Sequence, residues 1–193
     1  MLDHGALTED RPLRADADRN RRAILVAAER LFAERGFDVP LADIAAAAGV
    51  GRATLHRNFA TRSDLAFALF ERDMQDIREL AARQKGEVRD FEDLLDLKLR
   101  CYIRNGGLAE AVQRQQLTKD FAQERAEVAV ILHRAAQPAI AAGILRPDLT
   151  VGSFLILQMA IGGVMLGGGG PADRVMRAAE VKSLLLDGLK RGR

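Results

Sequence analysis

Apolar residues recur at steps of three and four along most of the chain, which is the spacing of one face of an α-helix. The first run consists of Ile24, Ala27, Ala28, Leu31 and Phe32. It predicts a helix over residues 18–35, with Gly36 as its carboxyl-terminal cap. Pro40 then predicts the start of another helix, at a position where the missing N–H group of proline is tolerated.

Two short helices joined by a tight turn are predicted for residues 41–59. Their inward-facing positions are Ile44, Ala45, Ala48, Leu55 and Phe59. Gly49 provides the positive φ that the turn requires, and the small Ala45 leaves room where the helices cross. This spacing predicts a helix-turn-helix, a unit that places its second helix in the major groove of DNA. An ordinary alanine-rich helical hairpin is the alternative that the spacing alone leaves open.

The distribution of charge favours the DNA-binding interpretation. Residues 44–63 contain no Asp or Glu, but they contain Arg52, His56, Arg57 and Arg62. A local field of positive sign suits the phosphates of a nucleic acid. The net charge of the whole chain is only +2, so this local distribution, and not the total, indicates a polyanionic partner.

A fourth, longer helix is predicted to begin near Arg62. Thr61 stands three residues before Asp64, which is the spacing of a capping box. One apolar stripe then runs through Phe67, Phe70, Met74, Ile77 and Ala81. A stripe of this length predicts a helix that bridges a small amino-terminal domain and a larger body.

The serial order of these motifs resembles the amino-terminal domain of the TetR family of transcriptional regulators. The resemblance covers about residues 20–70 and includes the segment Phe59-Ala60-Thr61-Arg62-Ser63-Asp64-Leu65. It implies an all-α fold in which a three-helix DNA-binding domain with a helix-turn-helix is joined to a helical carboxyl-terminal domain for ligand binding and dimerisation. The expected divisions are a flexible arm over residues 1–17, the DNA-binding domain over residues 18–65, and the effector-binding and dimerisation domain over residues 66–193.

The resemblance also implies a sequence-specific transcriptional regulator, a repressor that a small-molecule effector releases from its DNA operator. The inward positions fix the outward ones, so Ala53 and Arg57 point away from the core, with Thr54 and His56 on the flanks. By the resemblance, Arg57 lies where bases are read, while Thr54, His56 and Arg62 bind phosphates. The predicted DNA contacts are Arg52, Ala53, Thr54, His56, Arg57, Asn58 and Arg62.

The rest of the chain predicts further helices. One covers residues 91–102 and ends at Asn105, a shorter one covers residues 108–117, and a long one, capped by Thr118, holds Phe121 and is kinked or ended by Pro138. Residues 151–166 are apolar nearly all round, which predicts burial on two sides. Because Gly162 and Gly163 would admit another backbone closely, and a last helix begins at Pro171, we expect a four-helix interface between two copies of the chain.

An effector pocket is expected between the helices of the body, where ligand sites are mostly apolar with a few orienting polar groups. The predicted ligand-binding residues are Leu99, Tyr102, Gln113, Gln116, Phe121, Val128, His133, Gln158 and Met159. For Tyr102, a packed core role is the alternative, and for His133 a surface position is also open. Because no carboxylate is placed inside, the expected effector is uncharged or anionic and largely apolar.

Other chemistry finds little support. The three histidines lack the spacing of metal ligands, so neither a metal nor another cofactor is predicted. Cys101, the single cysteine, is expected to be a buried thiol in a reducing cytoplasm. The opening residues lack the pattern of a signal peptide, and no apolar run reaches the length of a membrane span. A helical ligand-binding enzyme, with Cys101, Tyr102 and His133 converging on a cofactor, and a dimeric adaptor without DNA binding remain the alternatives.

Overall fold

The computed structural model describes residues 10–105, 121–165 and 170–190, and these residues form eight α-helices and no β-strand. The all-α prediction is therefore confirmed for this part of the chain. In chain order the helices are α1 (Asp10–Arg35), α2 (Leu41–Ala47), α3 (Arg52–Asn58), α4 (Arg62–Arg83), α5 (Asp90–Arg104), α6 (Ala122–Ala141), α7 (Val151–Met165) and α8 (Pro171–Leu189).

The first helix begins at Asp10, whereas the sequence pattern predicted its start at Asp18 and a flexible arm before it. Residues 10–17 are therefore helical, and residues 1–9 of the predicted arm lie outside the described residues. An ion pair on the helix surface favours this extension, because Arg19 binds Asp16 one turn earlier at 2.8 Å. The pattern missed the extension because residues 10–17 contain no apolar run at helical spacing in the sequence.

Local signals in the amino-terminal domain act as predicted. Gly36 ends α1 with a φ of 82°, and Gly49 makes the turn between α2 and α3 with a φ of 68°. Thr61 and Asp64 form the predicted capping box, in which the Thr61 hydroxyl accepts from the Asp64 N–H at 3.1 Å and the Asp64 carboxylate accepts from the Thr61 N–H at 2.8 Å. These devices fix the entry and exit angles of the helix-turn-helix.

The α4 helix joins two hydrophobic cores, as its long apolar stripe predicted. Leu65, Ala66 and Leu69 are buried in the core of the amino-terminal domain. Met74 and Ile77, further along the same helix, are buried in the core of the body. The side chains of the first core therefore extend four residues beyond the predicted boundary at residue 65, because α4 supplies part of the packing under the helix-turn-helix.

The body consists of the second half of α4 together with α5–α8. Phe91 and Phe154 meet at its centre, with their ring centroids 5.5 Å apart. The α6 helix begins at Ala122 and continues past Pro138 to Ala141. Phe121 therefore precedes it, and of the two effects predicted for Pro138, a kink or an end, the end does not occur. The predicted short helix over residues 108–117 and the predicted cap Thr118 lie outside the described residues.

The glycines of α7 differ in what surrounds them. A Cβ atom on Gly162 would lie 3.4 Å from the hydroxyl of Tyr102, so its close neighbour is a side chain of the same chain, whereas the sequence predicted another backbone. A Cβ atom on Gly163 would meet nothing within 4 Å. No helix in the described part of the chain is long and apolar enough to cross a membrane.

Candidate DNA-binding surface and ligand cavity

The helix-turn-helix presents a basic surface on α3. Leu55 is fully buried against α1 and α2, which directs Arg52, Ala53, His56 and Arg57 to solvent. These four residues lie on the surface as predicted. Because the segment between Ile44 and Ser63 contains no carboxylate, no acidic side chain of this segment opposes a phosphate that approaches α3.

The other predicted DNA contacts, Thr54, Asn58 and Arg62, form hydrogen bonds or ion pairs within the domain. Thr54 is half-buried and its hydroxyl accepts a hydrogen bond from Arg57 at 3.0 Å, while the Asn58 amide donates to the Thr54 carbonyl at 2.8 Å. Arg62 is paired with Asp38 at 3.4 Å and lies over the ring of Phe37. These contacts orient Arg57 and Arg62 before any ligand is bound, which reduces the entropy that binding would cost.

A cavity of about 560 Å³ lies between α4, α5, α6 and α7. This volume falls in the range of about 300–1,000 Å³ that is usual for small-molecule sites. The lining is largely apolar and aromatic, with five side chains that carry a charge or an amide. The residues that line it are Phe70, Asp73, Met74, Ile77, Lys98, Cys101, Tyr102, Asn105, Phe121, Ala122, Arg125, Leu155, Gln158, Met159, Gly162 and Gly163.

Two groups on the α5 side of the cavity, the Tyr102 hydroxyl and the Cys101 thiol, keep their protons at neutral pH. Burial raises the pKa of the Tyr102 hydroxyl to about 12 and that of the buried Cys101 thiol also to about 12. Tyr102 therefore remains a donor, and its hydroxyl faces the carbonyl of Gln158 at 3.5 Å. The Gln158 amide in turn donates to the Arg125 carbonyl at 3.0 Å, so this wall links α5, α6 and α7.

An ionic network connects the cavity wall to the DNA-binding domain. Asp73 lines the cavity and binds Arg104 at the end of α5, and Arg104 also reaches Asp76 at 3.1 Å and Glu29 of α1 at 3.2 Å. Arg72 of α4 binds the other oxygen of Glu29 at 2.7 Å. Burial raises the pKa of the Asp73 carboxyl, and the hydrogen bond from Arg104 acts against that rise. Because Arg104 of α5 binds Glu29 of α1, a displacement of α5 would also displace Glu29.

Four of the predicted ligand-binding residues line the cavity, namely Tyr102, Phe121, Gln158 and Met159. Leu99 and Val128 are instead buried in the core of the body and do not line it. His133 lies apart from the cavity, where it packs against Phe154 and contacts Gln137, because its position on α6 faces the core centre. Gln113 and Gln116 lie outside the described residues.

The expectation of a cavity without a carboxylate is wrong, because Asp73 lies in the wall. Sequence reasoning also missed Lys98, Asn105 and Arg125, since the polar groups expected in the wall were Tyr102, His133 and three glutamines. The sequence spacing could have identified two of these four residues, Asp73 and Lys98. Asp73 is three residues after Phe70 and four before Ile77, and Lys98 is four residues before Tyr102, so each shares a helix face with predicted inward-facing residues.

Comparison with known sequences identifies the amino-terminal domain. The family model described as "Bacterial regulatory proteins, tetR family" matches residues 24–69, which include α2, α3 and the parts of α1 and α4 packed against them. Residues 24–69 therefore form a DNA-binding domain of the TetR family. The match ends at Leu69, the last residue of α4 that is buried in the first core, so TetR-family sequence similarity and physical packing give the same limit.

A curated HTH-type transcriptional regulator of Staphylococcus aureus (strain bovine RF122 / ET3-1) is 40% identical to this chain over 106 residues. The similar region is 52% of this chain and 57% of the relative. The chain thus spans about half the length of the curated relatives it matches. Sequence similarity at this level therefore leaves about half of this chain unmatched.

Solved structures extend the likeness to the whole TetR fold. A TetR transcription regulatory protein from Mycobacterium vanbaalenii is 26% identical, with a TM-score of 0.65, and the similarity covers 93% of this chain and 100% of that one. A gamma-butyrolactone receptor (ArpA-like protein) is 22% identical, with a TM-score of 0.62, and the similarity covers 91% of this chain and 90% of that one. The second likeness shows a shared fold alone.

Proposed function

We propose that this TetR-family protein is a homodimeric transcriptional repressor in the cytoplasm, which binds a double-stranded DNA operator and is released by a small molecule in the body cavity. The observation that carries the proposal is the connection of two sites in one chain. The basic surface of α3 is joined through α1 and the ionic network at Arg104 to a largely apolar cavity. The curated HTH-type regulators that it resembles support the DNA-binding part.

Two copies are needed because a single α3 reads only one half-site. Most exposed large apolar side chains in the described part of the chain lie on the last two helices. They are Val151, Ile156, Met159 and Val164 on α7, and Val175, Met176 and Leu184 on α8. Apolar surface concentrated in this way is typical of an interface. A dimer through α7 and α8 would place two copies of α3 on half-sites about 34 Å apart, or a multiple of that distance.

Effector release follows from a population shift. A ligand that binds one arrangement of α4 and α5 more tightly than another shifts the protein toward that arrangement. Asp73 belongs to both the cavity wall and the ionic network, so the arrangement at the ligand is coupled to Glu29 on α1. The ligand-bound dimer would hold its two DNA-binding domains at a spacing or angle that does not match successive major grooves.

The direct test is an electrophoretic shift with DNA from the region upstream of the gene for this protein. The wild type is expected to retard this fragment in the presence of excess random DNA, and a screen for small molecules that reverse the shift then tests effector release. Equal binding to the upstream fragment and to random DNA of the same length would contradict the proposed sequence-specific regulator.

Substitutions on the DNA-binding surface are expected to separate base reading from phosphate binding. Arg57→Ala should weaken operator binding by about 1–3 kcal/mol if the side chain reads a guanine edge. Arg62→Ala should weaken binding to all sequences alike and reduce the salt slope by about one. Fluorescence anisotropy with operator and random DNA at several salt concentrations measures both effects.

Arg83→Ala serves as the control, because Arg83 is exposed at the far end of α4 and pairs with Glu79. It removes the same charge and should leave the affinity for the operator and the salt slope nearly unchanged. A loss of affinity in Arg57→Ala that is equal on operator and random DNA would show that Arg57 reads no base.

A further inference from the structure

Asp73 and Lys98, two charged residues of the cavity wall, differ in whether the protein provides a partner for their charge. The Asp73 carboxylate accepts hydrogen bonds from both Arg104 and Asn105. Lys98, on the α5 wall, forms no hydrogen bond or ion pair to any residue in the described part of the chain. Its ammonium lies 5.0 Å from the centre of the Tyr102 ring. The acidic group of the cavity is therefore neutralised by the protein, and the ammonium of Lys98 is not.

Lys98 is placed where a ligand would meet it. It is half-buried, it lines the cavity, and it is packed with the aromatic ring of Tyr102. Burial lowers the pKa of Lys98 because its charged form has lost contact with water. An anion bound against the ammonium would restore the favourable environment of that charge. The same contact would be short and charge-assisted, which is the stronger class of hydrogen bond.

We infer that the cavity selects an amphipathic carboxylic acid, whose carboxylate binds the ammonium of Lys98 while its apolar part packs against the aromatic walls. This inference rests on the proposed role of the cavity as the effector site. Phe70 and Phe121 supply the apolar surface, with their ring centroids 4.6 Å apart. A cationic ligand is disfavoured, since it would meet Lys98 unpaired and Asp73 already bound to Arg104.

The test uses matched probes that share an apolar part and carry an anionic, a neutral or a cationic polar group. The probes are 2-naphthoate, 2-naphthamide and 2-naphthylmethylamine, with decanoate and decanol as a second, aliphatic pair. Binding to the full chain without DNA is measured by calorimetry and by naphthalene fluorescence, for which the absence of Trp from the chain is an advantage. Each acid is expected to bind wild type about tenfold or more tightly than its neutral counterpart.

Three variants connect this preference to Lys98. Lys98→Met keeps the length of the side chain and should bind each acid no more tightly than its neutral counterpart, while Lys98→Arg should retain the preference. Lys85→Met removes an exposed lysine outside the cavity and should behave as wild type. The unchanged affinity of Lys98→Met for 2-naphthamide would show that the variant is folded and that its cavity is intact.

The inference is overturned if the amine binds best, if neither acid binds, or if the preference for acids persists in Lys98→Met. Equal binding of acid and amide to wild type would leave the cavity a ligand site but would remove its selection for anions. Because binding is measured without DNA, these results are independent of the electrophoretic test. A protein that shifts its operator but binds no acid would retain the regulatory function and lose this ligand class alone.

Discussion

Replacing Ile156 and Leu184 together with glutamate is expected to make the protein monomeric and to weaken operator binding by a factor of about 10²–10⁴. Ile156 is 69% exposed on α7 and Leu184 is 67% exposed on α8, so the glutamates should hardly disturb a single chain. In the proposed dimer, however, they would bury unpaired carboxylates in an apolar interface. A monomer has a single DNA-binding domain, so it loses the gain in affinity that two linked DNA-binding domains obtain on two half-sites. Sedimentation velocity and fluorescence anisotropy measure the two effects.

Val88→Glu is the matched control for this change. Val88 is also an exposed apolar residue, at 40%, but it lies between α4 and α5. The control should remain a dimer with unchanged affinity for the operator. If the double variant of Ile156 and Leu184 also remained a dimer at micromolar concentration, the interface would have to lie on other helices.

The amino-terminal domain could be predicted from sequence because its signals are local. Gly49 requires a left-handed backbone wherever it stands in such a turn, and Thr61 and Asp64 need only each other to form a capping box. The burial of Leu55 follows from the helical period alone. Such features depend on residues within one or two turns of helix, so a pattern in the sequence is sufficient to find them.

The cavity could be predicted only in part, because its wall depends on packing between distant segments. Tyr102 and Gln158 were expected there, and they meet across 56 positions of sequence. Asp73 was missed because a carboxylate can face the interior only if partners neutralise it, and here Arg104 and Asn105, about thirty positions later, do so. Leu99 and Val128 were overpredicted for the opposite reason, since apolar periodicity does not distinguish a packed core from a cavity wall.

Arg104→Met is expected to lower the free energy of unfolding by about 3–5 kcal/mol, the usual loss when one partner of a buried ion pair is removed. Asp73 is 6% exposed and would keep only Asn105 as a donor among its described partners, so its pKa should rise further above the unfolded value. A carboxyl with a raised folded-state pKa lowers stability as pH rises through that pKa. The loss measured by urea unfolding should therefore be smaller at pH 4 than at pH 7.

Two further variants compare the stability contributed by the buried network with that of an exposed ion pair. Arg78→Met removes an exposed arginine that binds Glu127 at 2.6 Å, and it should cost no more than about 1 kcal/mol. Adding Asp73→Asn to Arg104→Met removes the stranded carboxylate and should recover part of the lost stability at pH 7. If Arg104→Met cost no more than Arg78→Met, or if Asp73→Asn recovered nothing, Arg104 would not be holding Asp73 and Glu29 together. Arg104 would then not couple the cavity wall to α1, and effector release would have to reach the DNA-binding domain through the packing of α4 and α5 against α1.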